Sequence, residues 1–437
     1  MARNVDLILK GGIIVNQNGV GTGDIAIADG KIVAIGNVSN FAAVETLDCR
    51  NLHILPGVID SQVHFREPGA THKEDLETGS RAAVAGGVTA VFEMPNTKPA
   101  TTSPEALADK VSRARHRMFC DFAFYVGGTR ENFASVPHLE TLEGSAGIKV
   151  FAGSSTGDLL VEDDEGLEAI ISKLTRRGAF HSEDEARLRA RISLQREGDP
   201  SSHPIWRDEE AAVISTARLI RIAKKHNKRI HVLHLSTAEE LPLLAAARDV
   251  ATVEVTPHHL TLSAVDYARL GTKLQMNPPV RDARHREALW DAINSGLVDV
   301  LGSDHAPHTL EEKAKPYPLS PSGMTGVQTL VPIMLNHVNE GRLSLERFVD
   351  LTSHGPLRIF NLRGKGRIAE GYDADFTIVD MKRTETITTQ WIESRCGWTP
   401  YDSVKVKGWP VGTFVRGHRA MWQGAIADQA FGQPVRF

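Results

Sequence analysis

The sequence predicts an α/β fold: a (β/α)8 TIM-type barrel carrying a small β-sandwich domain built from its N- and C-terminal segments. Three observations lead there. Residues 54–363 alternate short apolar runs with helix-like stretches, which is the pattern of parallel βα units, and that length suits a barrel with insertions. The chain before and after this region reads as strands and turns instead. No Gly-x-Gly-x-x-Gly sits at a strand-to-helix junction, which disfavours a doubly wound sheet. The expected division is therefore 1–53 as the N-terminal part of the β domain, 54–363 as the barrel, and 364–437 as the C-terminal part of the β domain.

The N-terminal segment begins with Val5-Asp6-Leu7-Ile8-Leu9, then Ile13-Ile14-Val15 and Asp24-Ile25-Ala26-Ile27. Asp29-Gly30 between Ile27 and Ile32 is a hairpin signal, because both residues tolerate the positive φ of a tight primed turn. In the barrel region the expected strands include Val88–Phe92, Ile148–Phe151, Ile230–Leu235 and Val298–Leu301. The expected helices include Ser103–Arg115, Glu209–His226, Ala238–Ala247 and Arg284–Ser295. After residue 364, Arg367–Ala369, Ala374–Asp380 and Gly412–Gly417 return to strand and turn texture. The two terminal β segments then pair with each other, with the barrel inserted between them.

Composition narrows the function. With 50 Lys+Arg against 54 Asp+Glu, the net charge of −4 argues against an electrostatic nucleic-acid binder. No apolar run is long enough to span a membrane, and the first residues lack the apolar core of a signal peptide. Cys49, Cys120 and Cys396 are widely spaced and odd in number. They form neither a disulfide framework nor a Cys-x-x-Cys metal motif, so a reducing, cytoplasmic setting is expected.

Four polar clusters fall at the C-terminal ends of expected barrel strands, where barrel enzymes keep their active sites. In Asp60-Ser61-Gln62-Val63-His64-Phe65-Arg66, strand alternation turns Gln62 and His64 the same way. A His-x-His pair there would be a metal clamp; this chain has Gln-x-His. In Gly147-Ile148-Lys149-Val150-Phe151 a lysine sits among apolar neighbours. Burial would lower its pKa, and a neutral amine can take up carbon dioxide as a carbamate able to bridge two metal ions. The plainer reading is a lysine reaching solvent on its long stem.

The third cluster is His181 with His234. In His231-Val232-Leu233-His234, alternation lets only one histidine face the barrel. His234 is nearer the strand end, so His231 is expected to pack outside the barrel, and His258 and His259 are expected to be ordinary loop histidines. The fourth, Gly302-Ser303-Asp304-His305, brings a carboxylate to the barrel mouth. It could ligate a metal with one oxygen and move a proton with the other, or simply cap a turn. Each cluster is weak alone, but together the order Gln/His, Lys, His, His, Asp indicates a metal-hydrolase barrel.

These segments resemble the amidohydrolase superfamily, and specifically dihydroorotases of the long, class I type. The resemblance runs essentially end to end. It rests on DSQVHFREPG (60–69), MPNT (94–97), IKVFAGSS (148–155), HVLHLST (231–237), MNPP (276–279) and GSDHAPHTLEEK (302–313). REPG followed by MPNT favours dihydroorotase over allantoinase and the hydantoinases.

The resemblance implies one or two Zn2+ per chain. His64 and Asp304 would bind the first metal, a carbamylated Lys149 would bridge, and His181 and His234 would bind the second. Asp304 would also be the general acid/base. Arg66, Asn96 and His308 would hold the substrate carboxylate, and Asn277 would lie against the substrate ring. Ser154, Ser155 and Thr156 would belong to a loop able to close over substrate. Gln62 departs from the family pattern, which places a first-metal histidine there.

The implied activity is the reversible cyclisation of N-carbamoyl-L-aspartate to L-dihydroorotate in pyrimidine biosynthesis. The partners implied are a small-molecule substrate, further copies of the chain in a homo-oligomer, and aspartate transcarbamoylase. Two alternatives compete: a catalytically silent homologue serving as a structural partner of aspartate transcarbamoylase, and another cyclic amidase such as an allantoinase. Silent relatives lack several ligands, whereas here one position differs.

Overall fold

The computed structural model describes residues 3–154 and 159–437. The chain opens with β1 (Arg3–Asn16), β2 (Gly19–Ala28), β3 (Lys31–Gly36), β4 (Phe41–Asp48) and β5 (His53–Pro56). The β2–β3 turn is the expected one: Asp29 and Gly30 have φ of 50° and 71°, the primed-turn geometry whose twist suits a hairpin. Eight strands follow: β6 (Val58–Val63), β7 (Val88–Glu93), β8 (Asp121–Gly127), β9 (Ser145–Phe151), β10 (Gly178–His181), β11 (Ile230–Val232), β12 (Ala251–Val255) and β13 (Val300–Leu301). The chain ends with β14 (Phe376–Thr386), β15 (Lys405–Val415), β16 (His418–Trp422) and β17 (Ala425–Ile426).

Strands β6 to β13 form one parallel sheet in sequence order. A parallel bridge between Val63 and His305 brings the chain after β13 back to β6, and His64 N donates to His305 O at 2.7 Å. The barrel is thereby completed, with its strand ends pointing to one mouth. Ile59, Ala90, Phe92, Ala123, Tyr125, Ala179, Leu233 and Val300 cluster in its interior. The alternate residues, such as Val91, Phe122, Val150, Phe180 and Val253, pack in the separate, larger cluster under the helices, as strands buried on both faces require.

Local chemistry sets the helices. Helix Pro104–Ala114 starts where Ser103 Oγ accepts from Ala106 N and proline occupies the first turn. Helix Glu209–His226 is capped by Asp208 and ends at Asn227 in a left-handed conformation. The expected helix Ala238–Ala247 shrinks to Leu241–Ala245, and the run Ile230–Leu235 is a strand only as far as Val232.

The terminal segments make one nine-stranded sheet, joined where β5 pairs antiparallel with β14. A buried charge cluster ties it to the barrel. Lys365 Nζ donates to Asp121 Oδ2 and to Asp375 Oδ2, each at 2.5 Å, and lies 3.5 Å from Asp373. Burial opposes the ammonium, but these three carboxylates hold its pKa above the ordinary lysine value. Lys365→Met would leave the buried Asp375 without a cation, while Asp121 keeps Arg416 and Asp373 keeps Lys31, and a loss of about 3 kcal/mol is expected. Urea unfolding at neutral pH checks it; a loss below about 1 kcal/mol, the worth of an exposed pair, would contradict the role.

Candidate active site at the barrel mouth

Three side chains meet where β6 and β13 end. Gln62 Nε2 donates to Asp304 Oδ1 at 3.0 Å, and His64 Nε2 lies 3.2 Å from the same oxygen. His64 Nδ1 faces Asn96 Oδ1 at 2.8 Å. An amide oxygen only accepts, so Nδ1 carries the proton and Nε2 keeps a lone pair turned toward Asp304.

A second pair sits across the mouth. His181 Nδ1 lies 3.1 Å from His234 Nε2, with the rings edge to face. His181 Nε2 donates to Glu183 Oε2 at 2.8 Å, which leaves Nδ1 as the free lone pair. Arg207 Nε in turn donates to Glu183 Oε1 at 3.1 Å. Burial alone would raise the Glu183 carboxyl; Arg207 and His181 hold it well below the usual range.

Lys149 lies between the two pairs. The register of β9 with β10 places it beside Ala179, two residues before His181, and its charge acts on His64, His181, His234 and Asp304. It is 1% exposed, which sets aside the solvent-reaching reading. Burial pushes Lys149 down to about 7. Burial, reinforced by the charge of Glu254, pushes Asp304 up to about 7. Burial keeps the imidazoles of His64, His181 and His234 neutral, the form that donates to a metal.

Strand alternation does not explain how these residues arrive. Arg66, His234 and Asp304 have φ of 62°, 37° and 47°, a left-handed region that costs a non-glycine residue roughly 1–2 kcal/mol. Each lies just past a strand end, where the turn carries the side chain over the mouth. Such strain concentrates at functional sites.

Two sequence expectations need correction. His231 does not pack outside the barrel. It sits edge-on to Phe360 in the interior cluster, bonds Thr252 Oγ1 through Nδ1 at 2.8 Å, and lies 3.8 Å from Glu254. It therefore takes the inward face, and His234 reaches the mouth because the strand stops at Val232 and the backbone turns. His258 and His259 are not ordinary loop histidines either. Both are buried on the short helix Pro257–Thr261. His259 bonds Thr256 Oγ1 at 2.8 Å, whereas His258 Nε2 has no hydrogen-bond partner.

The polar wall of the mouth is built from Arg66 and His308. Lys73 Nζ donates to His308 Nδ1 at 3.1 Å, so Nε2 bears the proton and donates to Ser322 O at 3.0 Å. Arg66 Nη2 lies 3.3 Å from that nitrogen, and Arg66 Nε donates to Pro307 O at 3.2 Å. Arg66 is 5% exposed yet has no carboxylate within 4.0 Å among the described residues. With Asn96 it lines a cavity of about 610 Å³. Asn277 stands apart: its Oδ1 lies 2.9 Å from His203 Nε2, in the wall of a different cavity. Ser154 bonds Glu185 Oε2 through its backbone N at 2.7 Å; Ser155 and Thr156 lie outside the described residues.

The donor set fits a divalent cation. Lys149 Nζ and Gln62 Oε1 are buried without hydrogen-bond partners among the described residues, a costly arrangement for polar atoms in a low-dielectric interior. The spacings of 3.1 Å between His181 and His234 and 3.2 Å between His64 and Asp304 suit donors each about 2.0–2.2 Å from one ion. A second group of possible ligand atoms, Glu209, Asp282 and His285, lies together at the starts of two helices. Arg284 already reaches Glu209 and Asp282 there.

Glu183, Arg207 and Lys73 were not found from the sequence, which reads His258 as a loop histidine. The one available signal was Glu183, two residues after His181.

Comparison with known proteins identifies the family. Residues 212–420 match the amidohydrolase family and residues 52–139 a dihydro-orotase-like family. A dihydroorotase of Methanothermobacter thermautotrophicus is 35% identical over 93% of this chain and 93% of its own. One of Pyrococcus furiosus is 34% identical over 99% and 96%. An L-hydantoinase of Paenarthrobacter aurescens is 32% identical over 98% of each chain. The solved L-hydantoinase of Arthrobacter aurescens superposes with a TM-score of 0.95 at 30% identity, covering 99% of both chains.

Proposed function

Since the chain belongs to the amidohydrolase family and is a cyclic amide hydrolase of its dihydroorotase branch, we propose that it is a zinc-dependent dihydroorotase, interconverting N-carbamoyl-L-aspartate and L-dihydroorotate. The observation that carries the substrate is Arg66. A buried guanidinium that faces a cavity and has no carboxylate within 4.0 Å among the described residues calls for an anionic ligand. Dihydroorotate carries a carboxylate, whereas the hydantoin ring and allantoin carry none. The division 1–53, 54–363 and 364–437 belongs to this reading, with the barrel as the catalytic unit.

His64 and Asp304 would hold one zinc ion and His181 and His234 a second, with a carbamylated Lys149 as the ligand common to both. Zinc at this position supplies Lewis acidity and lowers the pKa of water toward about 7. Arg66 binds the substrate carboxylate through its planar fork, with Asn96 and His308 beside it, whereas Asn277, held by His203 in the wall of a separate cavity, is not brought to this site. In hydrolysis, water adds to the ring carbonyl and the carbon–nitrogen bond breaks. Asp304 Oδ1 accepts from Gln62 Nε2 and faces the His64 Nε2 lone pair, where a metal ion would be held between them, so Oδ2 takes the water proton and delivers it to the leaving ring nitrogen. In cyclisation the ureido nitrogen attacks the side-chain carboxyl carbon and water departs. Glu183, clamped by Arg207, fixes the His181 tautomer, as carboxylates behind metal-ligating histidines do.

The test is direct. Purified protein should form L-dihydroorotate from N-carbamoyl-L-aspartate, lose the activity on chelation and regain it with zinc. No product at any zinc concentration would overturn the proposal.

Arg66→Lys is expected to raise KM by about 10-fold or more with a smaller fall in kcat. Lysine keeps the charge but loses the fork, and a contact made equally in ground and transition states appears in KM. An unchanged KM for dihydroorotate would remove Arg66 from carboxylate binding.

Gln62 makes the first zinc site the weaker one. Its amide nitrogen is committed to Asp304 Oδ1, and an amide oxygen is a poorer zinc donor than imidazole. Gln62→His should raise zinc retained after dialysis from about one toward about two per chain, as elemental analysis would measure. Equal retention in the two proteins would show the substitution to be neutral.

A further inference from the structure

The opposite pole of the barrel holds a cavity of about 470 Å³ that the hydrolase chemistry does not use. Four arginines line it. Arg176 and Arg177 immediately precede β10, Arg229 immediately precedes β11, and Arg363 follows the helix Gly355–Phe360. Phe360 and Phe437 supply apolar wall, and the Arg176 guanidinium stacks over the Phe437 ring at 5.2 Å.

No carboxylate lies within 4.0 Å of any of these four guanidiniums among the described residues. Their side-chain bonds go to backbone carbonyls alone: Arg176 Nη1 to Ser145 O at 3.4 Å and Arg177 Nη1 to Ile230 O at 3.1 Å. Arg177 Nε is buried and has no partner. The acids nearby are committed elsewhere. Asp299 takes two bonds from Arg248, both at 2.8 Å, and one from Arg358 at 3.2 Å. Glu140 Oε2 accepts from Thr175 N, Thr175 Oγ1 and Arg176 N. Burial, with repulsion from Arg229, pushes Arg177 down to about 10. A chain of net charge −4 has thus gathered four unpaired cations around one concavity.

We propose that this cavity binds a phosphoanhydride polyanion, a diphosphate or triphosphate group held by Arg176, Arg177, Arg229 and Arg363. Guanidinium forks match phosphate oxygens bidentately. Four cations match the charge of such a chain, which a single carboxylate or monophosphate leaves largely uncompensated. The volume lies within the ~300–1,000 Å³ of small-molecule sites. The phosphate chain can be inorganic or part of a nucleotide, whose base would find Phe437 and Phe360 in the wall.

Titration calorimetry on the full-length, zinc-loaded protein at low salt tests it, with inorganic phosphate, inorganic tripolyphosphate and a nucleoside triphosphate as probes. The control is Arg229→Ala with Arg363→Ala. Both side chains are exposed and make no hydrogen bond among the described residues, so the fold and the hydrolase activity should be unchanged. Any heat from chelation of active-site zinc is common to both proteins and cancels in the comparison.

Tripolyphosphate should bind at least about 10-fold more tightly than phosphate. Binding should weaken with added salt, as charge screening requires, and at least about 10-fold in the double variant. Tighter binding of the nucleoside triphosphate would assign the site to a nucleotide, and equal binding would assign it to the phosphate chain. Undiminished affinity in the double variant, or no binding of either polyanion at millimolar concentration, would overturn the proposal.

Discussion

Replacing Lys149 by alanine is expected to abolish metal retention and turnover together. The lysine is 1% exposed, its nitrogen has no hydrogen-bond partner among the described residues, and its charge acts on His64, His181, His234 and Asp304. Burial brings its pKa to about 7, so a large share of the amine is neutral and able to take up carbon dioxide near neutral pH. The carbamate proposed there would contribute negative charge between the two proposed zinc sites, and its loss would weaken both. Removing even 4 kcal/mol of transition-state stabilisation is about a thousandfold in rate, so a loss of at least that size is expected. Zinc per chain by elemental analysis should fall with it. A short carboxylic acid added to the variant should restore part of both, because it returns a two-oxygen anion to the same space. Intact mass should show the wild-type chain heavier by one carbon dioxide and the variant without it. Full activity in Lys149→Ala would rule out the bridging role.

Asp304→Asn is expected to lower kcat by about 10²- to 10⁴-fold, the usual worth of a positioned proton carrier, with a much smaller change in KM. The amide keeps an oxygen to accept from Gln62 Nε2 at 3.0 Å, so the loop and the mouth keep their shape. What disappears is the ability to take a proton. Steady-state kinetics in both directions check this, since one group serves both. A variant retaining more than half of the wild-type kcat would remove Asp304 from proton transfer and leave it a ligand alone.

Much of this architecture was legible from local pattern. Asp29-Gly30 announced its hairpin, Ser103-Pro104 its helix start, and the alternation of apolar runs with helical segments its parallel barrel. Gln62 and His64 were expected on one side, and both reach Asp304 Oδ1. What stayed hidden depends on partners distant in sequence or on backbone turns that no strand pattern encodes. His231 and His234 were assigned by a two-residue period, but β11 ends at Val232 and His234 adopts a positive φ, so the period no longer applied. His258 and His259 looked like loop residues because the short helix that buries them holds only five residues. Arg207 meets Glu183 across 24 positions, and Lys365 meets Asp121 across 244. Neither pairing leaves a mark in local sequence.

The measurement that bears most directly on the central claim is kcat/KM across a panel of cyclic amides, using the zinc-loaded protein with L-dihydroorotate, hydantoin, dihydrouracil and allantoin. The buried guanidinium of Arg66 in the mouth, with no carboxylate within 4.0 Å among the described residues, predicts that L-dihydroorotate is preferred by at least about 10²-fold, because only that ring brings a carboxylate to pair with it. The preference should collapse in Arg66→Ala. A protein that turns over hydantoin or allantoin as well as dihydroorotate, with the ranking unchanged in Arg66→Ala, would contradict the account.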